Sequence, residues 1–304
     1  MIIKINFLIL LNYHYSEYTM ELLEQIEERY IETNGIKLHT VIIGEGEPII
    51  MLHGFPEFWY SWKNVILGLK DEFKLIVPDT RGINLSDKPE GIENYHIKKL
   101  VDDIKGLAEI FQLDKFMLVA HDWGAIIAWY FAGIYPELVK KLVIISVPHP
   151  VVMQKAFIKS KEQRKASAYV FDLIKPNAVE MFRENDYQMV REMGIFDNKN
   201  SFDEQKDLEA WAQPGSLEAG CNYYRAAYKN PTRGTGVEEW KDGKITVPTL
   251  VIHGMRDHAI LPVTLEGLED YVKDLKIIRS ETGSHWMMDD EPELIISSIR
   301  EFIR

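Results

Sequence analysis

The stretch from Lys115 to Ala132, KFMLVAHDWGAIIAWYFA, constrains this chain more than any other. Phe116 to Ala120 is an unbroken apolar run, the signature of a strand buried on both faces in a parallel sheet. Ala125 to Ala132 is apolar all round, which suits a core helix. Between them lies Ala120-His121-Asp122-Trp123-Gly124, with small residues two positions to either side of Asp122. That is the spacing of a nucleophile elbow, normally written G-x-S-x-G. So tight a strand-to-helix turn admits only small residues beside the backbone and pushes its central side chain outward. The central residue here is a carboxylate instead of a hydroxyl, which redirects the chemistry.

The rest of the chain supplies a sheet for this turn. Tyr30–Thr33, Asn34-Gly35 and Ile36–Ile43 read as a hairpin, because Asn-Gly between alternating residues favours a type I′ turn. Apolar strands follow at Pro48–Leu52, Phe73–Val77, Leu142–Ser146, Thr249–His253 and Leu275–Arg279. Helical spacing occupies Ser61–Leu69, Tyr95–Gln112 and Glu291–Ile303, the last with Pro292 in its first turn. From 148 to 241 strand-like runs vanish in favour of amphipathic stretches rich in Tyr, Phe and Met, which read as a helical insertion. The expected organisation is an N-terminal extension at 1–29, an α/β core at 30–147 and 242–304, and a helical cap at 148–241. Strands alternating with helices on both sides of the insertion imply a parallel sheet covered on both faces.

Composition removes several function classes. A net charge of −12 opposes general affinity for nucleic acid or anionic membranes. The only cysteine, Cys221, rules out an intrachain disulfide and points to a reducing, cytoplasmic compartment. Nothing around it forms an elbow, so it reads as a small packing residue. Ile2–Leu11 is too short to span a bilayer and lacks the cleavage site of a good signal peptide, so stable membrane insertion is not expected. Monomer and homodimer both remain open.

In open α/β sheets, reacting groups collect at the carboxyl ends of strands. Three candidates stand there. Asp122 is on the elbow, Asp257 lies in Gly254-Met-Arg-Asp, and His285 lies in Gly283-Ser-His-Trp286. Their order of nucleophile, acid and histidine is that of hydrolase triads. His121 and His149 do not follow the last strand. Gly54, in His53-Gly-Phe-Pro56, lets the backbone aim the Phe55 N–H at a reacting oxygen, although an ordinary strand-to-helix loop reads the same way. Arg81 and Asp87 read as structural ties.

Several segments together carry a family resemblance: His53-Gly-Phe-Pro56, Asp79-Thr-Arg-Gly82 with Ser86-Asp-Lys-Pro89, His121-Asp-Trp-Gly-Ala125, Val147-Pro-His-Pro150, and Gly283-Ser-His-Trp286 with Asp290-Glu-Pro292. The chain resembles the α/β-hydrolase fold family in its soluble epoxide hydrolase and haloalkane dehalogenase branch, and the epoxide hydrolases most closely. The family often has glycine where Asn84 stands. The resemblance implies an α/β fold, a mostly parallel eight-stranded sheet flanked by helices with a helical cap inserted.

A carboxylate nucleophile displaces a leaving group at saturated carbon and forms an ester, which His285, oriented by Asp257, opens by activating water. The N–H groups of Phe55 and Trp123 are expected to hold the oxyanion. No metal and no cofactor is needed. The resemblance also implies that Tyr169, seven residues before Pro176, and Tyr224, in Asn222-Tyr-Tyr-Arg225, hydrogen-bond an epoxide oxygen; Tyr223 is the alternative if the register slips. His53, Pro56, Trp59, Tyr223 and Trp286, with Phe55 and Trp123, are expected around a largely apolar substrate slot. The expected partners are a small apolar epoxide and water. A haloalkane or haloacetate dehalogenase would use the same three residues, with Trp123 serving the halide.

Overall fold

The computed structural model describes residues 21–229 and 237–304. The apolar stretch Ile2–Leu11 lies outside the described residues. One eight-stranded sheet runs through the molecule in the order β1-β2-β4-β3-β5-β6-β7-β8. The strands are β1 (Glu27–Thr33), β2 (Ile36–Ile43), β3 (Glu47–Leu52), β4 (Phe73–Pro78), β5 (Phe116–His121), β6 (Val139–Ile145), β7 (Thr249–Gly254) and β8 (Leu275–Ser280). β1 and β2 form the expected hairpin, with Asn34 and Gly35 both at positive φ as a type I′ turn requires. β2 pairs antiparallel with β4, and every pairing from β4 to β8 is parallel.

Helices α1 (Lys63–Leu69), α2 (Ile97–Ile110) and α3 (Asp122–Ile134) connect the first strands. Between β6 and β7 the described elements are all helical: α4 (Pro150–Lys159), α5 (Lys161–Ala166), α6 (Val170–Leu173), α7 (Ala178–Glu192), α8 (Ser201–Ala212) and α9 (Ser216–Lys229), with short 3-10 turns. α10 (Met287–Asp290) and α11 (Pro292–Ile303) complete the chain. α7 is two pieces, because Asn185, Asp186 and Tyr187 all take positive φ and break the helix. Among the described residues no helix is long and apolar enough to cross a membrane.

The sheet centre is dry. Every residue of β5 and β7 is buried, as unbroken apolar runs in parallel strands demand. Asp79, just after β4, accepts from His39 and Asn84, and Asn84 takes φ +46. Asn tolerates that region better than other side chains. Arg81 reads as a tie and is one: its Nε and Nη2 grip both Asp103 oxygens at 2.7 and 2.6 Å. Asn34 adds a bond to Asp103 at 2.9 Å, joining the hairpin turn, the loop after β4 and α2. Both partners are buried, so Arg81→Ala strands a carboxylate away from water. It is expected to cost about 3–5 kcal/mol of unfolding free energy in urea titration. A loss below about 1 kcal/mol would mean that the grip is dispensable.

Candidate active site

The elbow forms where β5 meets α3. Asp122 sits at φ +46, a strained value for a non-glycine residue and one that recurs at functional turns. Close approach explains its small neighbours. A Cβ on Gly124 would stand 2.3 Å from the Leu52 carbonyl oxygen, and one on Gly54 would stand 2.4 Å from the Asp122 Cβ. The side chain pushed out by this turn meets Phe55, whose N–H donates to Asp122 Oδ1 at 2.9 Å. Trp123, the other expected oxyanion donor, follows in the first turn of α3.

His285 Nε2 faces Asp122 Oδ2 at 3.5 Å, and its Nδ1 lies 2.7 Å from Asp257 Oδ2. Asp257 accepts with its other oxygen from the N–H groups of Ala259 and Ile260, both at 2.8 Å. A carboxylate held this way only accepts, so His285 donates from Nδ1 and turns Nε2 to Asp122. Sequence order, strand ends and geometry thus converge on one line of three residues.

Electrostatics follow from burial and pairing. Burial alone would lift the Asp122 carboxyl, but the His285 ring, His121 and the Phe55 N–H outweigh it and hold the group below the ordinary carboxylate range. Asp257 is lowered in the same way, burial opposing and His285 prevailing. Burial opposes charge on His285 too, yet Asp257 and Asp122 together raise it well above the usual imidazole value.

A second pair stands behind this line. Glu57 Oε2 accepts from Gly54 N–H at 3.0 Å and lies 2.7 Å from His121 Nδ1. His121 Nε2 lies 2.9 Å from the His285 carbonyl oxygen. Both His121 nitrogens therefore face acceptors, and the ring bridges the turn that aims Phe55 and the loop that carries His285. Sequence reasoning missed the pair. Its one local signal is Glu57, three residues after Gly54.

Above Asp122 lies a slot walled by Phe55, Pro56, Tyr169, Leu173, Phe182, Met189, Val190, Met193, Tyr224, Ala259, His285 and Trp286. Tyr169 and Tyr224 both reach it, their rings edge-to-face at 6.4 Å. Burial is the main cause that pushes both phenols above their ordinary value, followed by Asp122 and Asp257 at Tyr169 and by Tyr169 and Asp122 at Tyr224, so both stay protonated.

Four expected slot residues lie elsewhere. His53 is buried beneath the site, donating from Nδ1 to the Gly54 carbonyl and accepting the Thr80 N–H at Nε2. Trp59 donates its backbone N–H to Asp79 and packs edge-on against Phe58 and Tyr60. Tyr223 turns the other way along α9, donating its hydroxyl to the Arg81 carbonyl at 2.7 Å. The register is thus that of Tyr224. Trp123 also stays out of the slot lining; its ring packs edge-on against Tyr223 and Tyr224. Cys221 is buried, and burial pushes its thiol up to about 12.

Comparison with known proteins agrees with this fold. The family model described as "alpha/beta hydrolase fold" matches residues 47–292. AB hydrolase superfamily protein YfhM of Bacillus subtilis is 38% identical over 93% of this chain and 99% of its own. Epoxide hydrolase 1 of Caenorhabditis elegans is 36% identical over 92% of this chain and 71% of its own. The chain belongs to the α/β-hydrolase fold family, in its epoxide hydrolase branch. Among solved structures, an inhibitor complex of Bacillus megaterium epoxide hydrolase superposes with a TM-score of 0.83 at 31% identity, covering 90% of this chain and 99% of that one. Membership accounts for the shared fold.

Proposed function

We propose that this chain hydrolyses an epoxide to a vicinal diol through an ester on Asp122. The observation that carries the reading is a carboxylate on the elbow with two protonated phenols, Tyr169 and Tyr224, sharing its slot. Asp122 attacks an oxirane carbon, the C–O bond breaks, and the oxygen takes a proton from the tyrosine pair. Esterification removes the charge of Asp122, one of the two that hold the proton on His285. That proton is then free to pass to the tyrosinate, leaving His285 neutral and able to act as a base.

His285 next takes a proton from water, and the hydroxide attacks Asp122 Cγ. The N–H of Phe55 already touches one oxygen of this carboxylate, and it stabilises the oxyanion together with Trp123 N–H. Collapse expels the diol oxygen, which takes the proton from His285; the carboxylic acid then returns one to the ring. The slot offers a departing halide less. The Trp286 indole N–H donates to the Met193 carbonyl at 2.8 Å, and the Trp123 indole is engaged with Tyr224.

One consequence is isotopic. Water oxygen enters Asp122, not the diol, in the first turnover. Single turnover in H2¹⁸O is expected to give unlabelled diol and an Asp122 peptide heavier by one ¹⁸O, read by mass spectrometry. Label in the diol with none in Asp122 would mean direct attack of water and overturn the ester route.

A further inference from the structure

We propose that the enzyme is selective for terminal epoxides, one oxirane carbon unsubstituted and the substituent of the other directed outward, and that Phe182 sets this limit; the proposal rests on the epoxide reading above. The slot over Asp122 leaves a cavity of about 20 Å³, room for about one water. A substrate must therefore displace part of the wall, and the two ends of the slot differ in what lies behind them.

At one end Tyr169, Met193, Ala259, His285 and Trp286 are shared with a vestibule of about 710 Å³. Met193 is half-buried, and its unbranched thioether can swing into that open volume at little cost. The vestibule is of a size that holds a drug-sized group. A long or bulky substituent thus has a way out past Met193.

The other end is walled by Leu173, Phe182 and Val190, all buried, and by the half-buried Met189; Phe182 is 1% exposed. Its ring is held by Phe55 at 5.7 Å, Trp211 at 5.5 Å and Tyr187 at 6.2 Å between centroids. Trp211 is fixed in turn, its indole N–H donating to the Pro56 carbonyl at 2.6 Å. Pro56 directly follows Phe55, whose N–H holds Asp122. Pushing Phe182 back therefore drags the oxyanion loop out of place, and close-packed interiors transmit such a displacement instead of absorbing it. An oxirane CH2 fits against this wall; an alkyl group on that carbon does not.

The test compares two isomers of equal formula and similar hydrophobicity, 1,2-epoxyoctane and trans-4,5-epoxyoctane. Wild-type kcat/KM is expected to favour the terminal isomer by about 100-fold, the scale of steric discrimination in a rigid apolar pocket. Phe182→Ala is expected to narrow that ratio at least about tenfold by raising the rate on the internal isomer. Met193→Ala, on the vestibule side, is expected to leave the ratio within about threefold. If Phe182→Ala fails to fold by circular dichroism, Phe182→Leu is read in its place. Comparable wild-type rates on the two isomers, or an unchanged ratio in a folded Phe182 variant, overturn the proposal while leaving the epoxide reading intact. No turnover of either isomer, with no ¹⁸O entering Asp122, overturns the epoxide reading and this inference with it.

Discussion

Asp122→Asn is expected to lower kcat/KM on an epoxide by on the order of 10⁴-fold or more, the scale on which removing a covalent nucleophile acts. Asparagine is the informative replacement. It tolerates the φ of +46 that this turn imposes, whereas alanine at that angle would add backbone strain to the loss of chemistry. Its amide oxygen still accepts the Phe55 N–H, so the geometry of the turn survives and the loss reports on the carboxylate. The same variant carries a second readout. His285 is held above the ordinary imidazole value by Asp257 and Asp122 together, against burial. Removing one negative charge leaves burial less opposed, so the His285 pKa is expected to fall, as followed by NMR titration of its ring protons. An unchanged pKa would mean that Asp122 and His285 do not communicate, and the proton transfer proposed after esterification would lose its basis. Turnover within about 100-fold of wild type would remove Asp122 from the role of nucleophile.

The parts of this architecture that sequence reveals are those set by short-range rules. A strand buried on both faces, a turn that tolerates only small neighbours and a following apolar helix all lie within eighteen consecutive residues, so the elbow is readable without tertiary knowledge. The placement of Asp257 and His285 beside Asp122 is readable because all three follow strand ends of one sheet. Direction is what a linear pattern hides. Tyr223 stands next to Tyr224 along the chain and Trp59 follows Pro56 closely, yet their side chains point into the supporting layers. His53 was similarly drawn to the slot by its neighbours, but both its nitrogens are taken by backbone. The Glu57–His121 pair joins residues sixty-four positions apart, a separation no local pattern encodes. β1 begins at Glu27, inside the segment read as an extension, because the first four residues of this edge strand are exposed and charged or aromatic. Charge on an edge strand suppresses unwanted pairing and also disguises the strand. The far wall of the slot was invisible for a different reason. Phe182 and Val190 belong to one helical run broken at Asn185–Tyr187, and no glycine or proline announces the break.

His285→Gln is expected to separate the two half-reactions. Glutamine can still occupy the space between Asp257 and Asp122 and donate to Asp257 Oδ2, so that buried carboxylate is not abandoned. It cannot take a proton from water. Nucleophilic attack by Asp122 needs no base: the variant loses the His285 ring, the first of the influences that hold this carboxyl below its ordinary range, but His121 and the Phe55 N–H at 2.9 Å still support the ionised form against burial. Mixing the variant with excess styrene oxide is therefore expected to consume about one equivalent in a burst and then stall. The steady rate should fall by roughly 10²–10⁴-fold, the usual contribution of a general base. Intact mass should rise by one substrate, and peptide mapping should place it on Asp122. The ester, though inert to attack by water here, remains open to a stronger nucleophile: hydroxylamine should release the diol and leave a hydroxamate on Asp122, seen as a mass change of that peptide, in a protein unable to burst again. Absence of a burst and of an adduct would mean that His285 acts in the first step as well, and the division of labour between phenols and imidazole would have to be redrawn. An adduct from a chloroalkane with release of chloride, and none from the epoxide, would assign the leaving group to halide. In that case Tyr169 and Tyr224 would be wall residues, while Asp122, Asp257 and His285 would keep their roles, because none of the three depends on what departs.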